Sequence, residues 1–279
     1  MVIGTTTEWE SEAYDRDDLK LPGATDDLVR SILQAVPNAI IVNQSGMPVE
    51  LPWLDQAPTL LQAFFGGNEC GTAIANAIFG KSNPGGKLPV TWPVSIDDYK
   101  HVEFGNAVTT VYTEGLNVGY RWFDAPGRPK SAFPFGYGGS YTTFQFRFVT
   151  RSYGNMELMD SNLKLTSSVD CKVVVAFDVK NTGKLAGSTV GQVYVHQARP
   201  SVEKPNVELA GFAKMYLEPG ETGTTSVTLD VGVSIKSCSL YADHSSTRRS
   251  RTTMSDVCAG SQRRAIMRSG LGLPPEILS

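Results

Sequence analysis

Most of the features that would announce a chemistry are missing from these 279 residues. No apolar run approaches the ~18 residues from which a membrane-crossing helix is read, so no spanning segment is expected. The four cysteines, Cys70, Cys171, Cys238 and Cys258, are far apart and form no C-x-x-C. That spacing excludes the usual zinc ligand sets and is too sparse for a disulfide framework, so free thiols and no metal site are expected. Only three histidines occur, His101, His196 and His244, and none accompanies a nucleophile elbow. Gly80-Lys81-Ser82 ends like a phosphate-binding loop, but the required glycine five positions earlier is Ala75. Gly136-Tyr137-Gly138-Gly139 lacks dinucleotide spacing as well, so no cofactor is expected. A basic surplus is also missing: 25 Lys and Arg against 28 Asp and Glu leave −3, which argues against a nucleic-acid partner. Met1-Val2-Ile3-Gly4 has no charged or apolar leader and reads as the end of a buried strand, not a signal peptide.

What is present is ordinary globular composition with a length suited to one or two domains. The first hundred residues alternate helix and strand. Thr25-Asp26-Asp27 precedes the amphipathic run Leu28–Val36, with Thr25 placed to cap the first turn and the two Asp at the positive end of the helix dipole. Ala39–Val42 and Leu60–Phe65 are short apolar runs that read as buried strands, and Asn68–Phe79 reads as a second helix closed by Gly80. Alternation at this spacing predicts a mainly parallel sheet. From Tyr120 to Tyr141 seven aromatic residues crowd among prolines and glycines, which reads as a surface lined with aromatic faces. Beyond residue 150 the pattern changes to period two. Cys171–Lys180, Gly191–His196 and Gly223–Asp230 are strand-like, with turns at Asn181-Thr182-Gly183 and Glu218-Pro219-Gly220, as in a β-sandwich. From Val231 on, seven Lys and Arg face three Asp and Glu, a balance of +4 that leaves −7 for the rest. Periodicity is lost there, and a disordered basic tail is expected over residues 233–279.

One cluster carries chemistry. Glu8-Trp9-Glu10-Ser11-Glu12-Ala13-Tyr14-Asp15-Arg16 follows the first strand, at the end of a parallel sheet where sites gather. Carboxylates crowded beside aromatic rings are the setting in which one carboxyl stays neutral for general-acid work. An acidic loop can equally be a solvated one.

This loop strongly resembles the E-x-E-G-Y-D-R loop of fungal-type glycoside hydrolase family 3 β-glucosidases. Further motifs follow in the family's order: Asn43-Gln44-Ser45-Gly46, Gly66-Gly67-Asn68-Glu69, Asn83-Pro84-Gly85-Gly86-Lys87-Leu88-Pro89, Tyr112-x-Glu114-Gly115, Val118-Gly119-Tyr120-Arg121-Trp122-Phe123-Asp124 and Phe133–Phe144. The resemblance covers about residues 1–230. It implies a partial α/β sandwich domain over 1–145 and a fibronectin type III-like domain over 150–232. It also implies a retaining hydrolase of terminal β-D-glucosyl residues, acting on a β-glucoside or oligosaccharide. By motif position Glu12 is the general acid/base, with Glu10 the alternative. Asp15 and Arg16 are structural partners of the loop, with Arg16 pairing a carboxylate. The nucleophile would come from an N-terminal barrel that this sequence does not encode, so the chain alone is expected to be inactive. The competing reading is a non-catalytic remnant that binds carbohydrate or protein through its aromatic loops. The family usually has Gly where Ala13 stands, so a positive φ there would strain Ala. Secretion is implied by the resemblance alone, and Asn43-Gln44-Ser45 is a glycosylation sequon. Sugar preference and oligomeric state stay open.

Overall fold

Three parallel strands form the first sheet of the computed structural model, in the order β1 (Val2–Gly4), β2 (Ile40–Gln44), β3 (Thr59–Gln62). Residues 1–13, 16–99, 109, 111–153, 156–158, 171–197, 202–231 and 238–243 are described by the structure. The crossover from β1 to β2 runs through helix α1 (Thr25–Ala35), whose Val29 and Leu33 turn into the core. Its first turn carries Asp26 and Asp27 as expected, but Thr25 does not cap it. The Thr25 hydroxyl donates back to the Pro22 carbonyl at 2.6 Å, and Ala24 is the N-cap, without a side-chain bond. A turn through Pro22-Gly23 is closed in this way, so the same hydroxyl cannot serve the helix.

The strand expected over Leu60–Phe65 stops at Gln62, because Phe64 takes a φ of 51° and leaves the extended region. Helix α2 spans Cys70–Ile78. Trp53 and Trp92 lie at the centre of this unit with Ile3, Val29, Leu33, Ile41 and Val49. Both indoles are satisfied, Trp53 Nε1 by Asp26 Oδ1 at 2.8 Å and Trp92 Nε1 by the Val49 carbonyl at 2.7 Å. A buried indole N–H would otherwise lose its water without compensation.

The second unit is a two-sheet β sandwich. One sheet has the order β5-β4-β6-β9, from β4 (Phe144–Tyr153), β5 (Met156–Leu158), β6 (Cys171–Asn181) and β9 (Thr222–Val231). The other has the order β10-β7-β8, from β7 (Gly187–Gln197), β8 (Glu208–Leu217) and β10 (Cys238–Asp243). Val175, Phe177 and Val179 alternate inward from β6 and meet Val193, Leu217, Val227 and Leu229. This is the half-buried pattern that the period-two segments predict. Both boundaries differ from those expected. β4 opens at Phe144, because Phe144 and Phe146 already pack on this core. At the other end Cys238–Asp243, expected within the basic tail, pairs with β7 over six residues. Residues 244–279 of that tail lie outside the described residues.

The aromatic segment is not a surface, apart from the exposed Tyr141. It forms the seam between the two units. Helix α3 (Tyr120–Asp124) presents Tyr120, whose ring lies 5.0 Å from Phe135 and 6.0 Å from Tyr194 of β7, and whose hydroxyl accepts the Leu209 amide of β8 at 2.8 Å. Trp122 is buried beside it, under the Arg128 guanidinium. Asn83 spans the same seam, donating to the Ala186 carbonyl and accepting from Ser140 Oγ and the Tyr141 amide, each at 2.9 Å. Gly85 must be glycine for this approach, since a Cβ would come within 2.8 Å of Ser188 Cβ. Lys87 donates to the Gly138 carbonyl, and burial pulls its pKa down to about 8. Within the Asn83–Lys87 motif, Asn83 and Gly85 meet the second unit, while Lys87 braces the first from within. No helix among the described residues is long and apolar enough to cross a membrane.

Candidate active site

Because β1, β2 and β3 run parallel, their carboxyl ends at Gly4, Gln44 and Gln62 share one edge. The loops that follow, 5–13, 45–47 and 63–67, gather there, the usual location of sites on such sheets. The first of them turns sharply, because the Trp9 and Glu10 amides both donate to the Thr6 carbonyl at 2.9 Å. That turn sends the two glutamates to different fates.

Glu10 points inward and both of its oxygens are occupied. Oε1 accepts from Thr5 Oγ1 at 2.8 Å and lies 3.7 Å from Arg16 Nη1, and Oε2 accepts the Gly46 amide at 2.9 Å. Its side chain is 12% exposed and that of Arg16 only 8%. Arg16 is further held by its Nη2, which donates to the Lys20 carbonyl. Gly46 has no room for a side chain, as a Cβ would meet Glu10 Oε2 at 2.5 Å and the Phe65 ring at 2.9 Å.

Glu12 is exposed, in the next turn, and its carboxyl takes no hydrogen bond or ion pair from the described residues. Trp9 and Phe65 are exposed in the loops at this edge. Asp15 lies outside the described residues.

Ala13 adopts a φ of 70°, in the left-handed region. Alanine there costs about 1–2 kcal/mol in conformational strain, while glycine costs a fraction of that through the unfolded chain. Ala13→Gly is therefore expected to raise stability to urea by about 0.5 kcal/mol, and Ala13→Val to lower it by more than about 1 kcal/mol. Equal midpoints for all three proteins would contradict a strained Ala13.

Beneath the loop, Asn43 donates through Nδ2 to Ser45 Oγ at 2.9 Å and to Gln62 Oε1 at 2.7 Å, tying the ends of β2 and β3 together. Asn43 is fully buried, so the Asn43-Gln44-Ser45 sequon cannot accept a glycan in the folded protein. Cys70 is a free, half-buried thiol that accepts from Gln44 Nε2. No group of three or more His, Cys, Asp or Glu suited to a metal ion occurs among the described residues.

The profile of the glycosyl hydrolase family 3 C-terminal domain matches residues 1–141, half of the chain and the whole setting of this loop. The chain belongs to glycosyl hydrolase family 3. A fibronectin type III-like domain profile matches residues 189–261, a span that includes β10. A β-glucosidase of Kluyveromyces marxianus is 46% identical over 237 residues, which cover 83% of this chain and 26% of that protein. The crystal structure of the Kluyveromyces marxianus β-glucosidase in complex with glucose superposes with a TM-score of 0.77 at 39% identity, over 88% of this chain and 30% of that one. The family 3 β-glucosidase of Bifidobacterium adolescentis gives 0.74 at 28% identity, over 89% of this chain and 37% of that one. The chain thus spans about a quarter of the length of the curated relatives it matches.

Family 3 motifs distinguish the two glutamates only by order along the chain. Their surroundings distinguish them further. Thr5 and Gly46, which occupy the oxygens of Glu10, carried no functional signal in sequence. Gly46 stood in a family motif, but nothing there said that its amide meets a carboxylate 36 positions away.

Proposed function

We propose that this chain is the part of a retaining β-glucosidase that supplies the general acid/base, Glu12. The full enzyme would release terminal β-D-glucosyl residues from a β-glucoside or oligosaccharide. One observation carries the assignment: of the two candidate glutamates, Glu10 is fastened on three sides, while Glu12 is exposed at the same strand edge. An acid/base must reach the glycosidic oxygen, and a carboxylate already committed to two hydrogen bonds and a buried ion pair cannot.

In a retaining hydrolase Glu12, neutral at first, protonates the leaving oxygen as a carboxylate nucleophile attacks the anomeric carbon. The glycosyl–enzyme ester is then opened by water, whose proton returns to the Glu12 carboxylate. The nucleophile stands roughly 5–5.5 Å from the acid/base in such enzymes, and we place it in a barrel region outside this chain. No metal or cofactor takes part in this scheme. Secretion and a role in cellulose breakdown would follow the same lineage and rest on it alone.

The test is an assay of the purified chain on an aryl β-glucoside, alone and after fusion behind the barrel region of a family 3 β-glucosidase. The chain alone is expected to be inactive and the fused protein to turn over. Turnover by the chain alone, or silence from a folded fusion, would reject the proposal.

A further inference from the structure

We infer that Glu10 is the positioning residue of the acid/base loop: its carboxylate fixes the turn that presents Glu12. The inference rests on the reading of Glu12 given above, and goes beyond it in assigning a task to the neighbouring glutamate.

Two hydrogen-bond donors and one cation, from three places in the chain, converge on one carboxylate. Thr5 belongs to the end of β1, Gly46 to the loop after β2, and Arg16 to the far side of the acidic loop. Glu12 follows Glu10 by two residues, so the groups that hold Glu10 also hold the chain that leads into Glu12. The residue after Glu12 is the left-handed Ala13. The Arg16 side chain is nine-tenths buried, and its Nη1 has no hydrogen-bond partner among the described residues. Among the described residues the carboxylate paired with it is that of Glu10, and removal of Glu10 would leave the buried cation facing a vacated site. Small displacements of a catalytic carboxyl lower turnover without weakening substrate binding, because orientation is felt in the transition state. Glu10 itself touches no reacting atom in this scheme.

Two measurements test the inference. In the 279-residue chain, Glu10→Ala is expected to speed hydrogen exchange of the Gly46 amide by at least about tenfold, as loss of one bond to a charged acceptor implies. Exchange in β6 should not change. Glu10→Gln keeps an acceptor for Gly46 but no charge for Arg16, so it should fall between, and it guards against misfolding of the alanine variant. In the fused enzyme, both variants are expected to lower kcat for a poor leaving group by about ten- to a hundredfold, with KM near wild type. Azide should restore nothing, since Glu12 is still in place. Unchanged Gly46 exchange, or wild-type kcat in both variants, would overturn the positioning role. Azide rescue of Glu10→Ala would make Glu10 the acid/base and overturn both readings. A folded fusion that is silent with the unaltered loop would reject the acid/base reading, and Gly46 exchange would still decide whether Glu10 holds the loop.

Discussion

Glu12→Ala in the fused enzyme is expected to lower turnover of a poor leaving group by about 10²–10⁴-fold, the usual contribution of a positioned general acid. An activated aryl β-glucoside, whose leaving group departs without a proton, should lose less in the first step. Its second step still needs a base, so the glycosyl–enzyme should accumulate and KM should fall. Azide can attack that intermediate without base assistance, and is expected to recover much of the lost rate while giving glucosyl azide. The pattern is specific, because a merely destabilised loop would lower rates for good and poor leaving groups alike and would not respond to azide. Steady-state kinetics on a series of aryl glucosides reads it directly. If Glu10→Ala gave this pattern and Glu12→Ala did not, the roles would have to be exchanged.

The largest expected effect on stability lies at Trp53. Its side chain is fully buried between α1 and the sheet, and its indole N–H ends on Asp26 in the first turn of α1. Trp53→Ala removes one of the two largest fully buried side chains of the α/β unit and leaves a cavity, at a cost of about 3–5 kcal/mol. Against a total of about 5–15 kcal/mol, that is enough to unfold a marginal unit. Urea unfolding followed by circular dichroism is expected to show a large fall in midpoint, with a milder effect for Trp53→Phe. A loss below about 1 kcal/mol would mean that the site collapses around the missing ring.

The architecture was legible wherever burial follows a period. Ile40–Val42 is apolar because β2 is covered on both faces, and Val175, Phe177 and Val179 alternate because β6 is covered on one. Elements shaped by particular contacts were not legible. Thr25 has the composition of a cap, yet its hydroxyl is claimed by Pro22. Tyr120–Tyr141 has no period, so nothing local revealed that Tyr120 would meet Leu209, 89 positions later. Cys238–Asp243 is short, and its pairing is dictated by β7 rather than by its own pattern. At the site, the acidic loop stood out by composition and motif, and the strain at Ala13 followed from the glycine expected there. The distinction between Glu10 and Glu12 depended on Thr5, Gly46 and Arg16 folding around one of them, and that is a property of the assembled edge.

The seam between the two units bears on time as well as on geometry. Asn83 reaches Ala186 across 103 positions of chain, so this contact closes one of the longer loops in the molecule. Such closures gain little until each unit has a core of its own to hold the ends in place. Interactions that form after the folding barrier act on the rate of unfolding and leave the rate of folding almost untouched. Asn83, Tyr120 and Gly85 therefore govern the lifetime of the joined state. A weakened seam would leave refolding as fast as before and shorten survival in the presence of a protease.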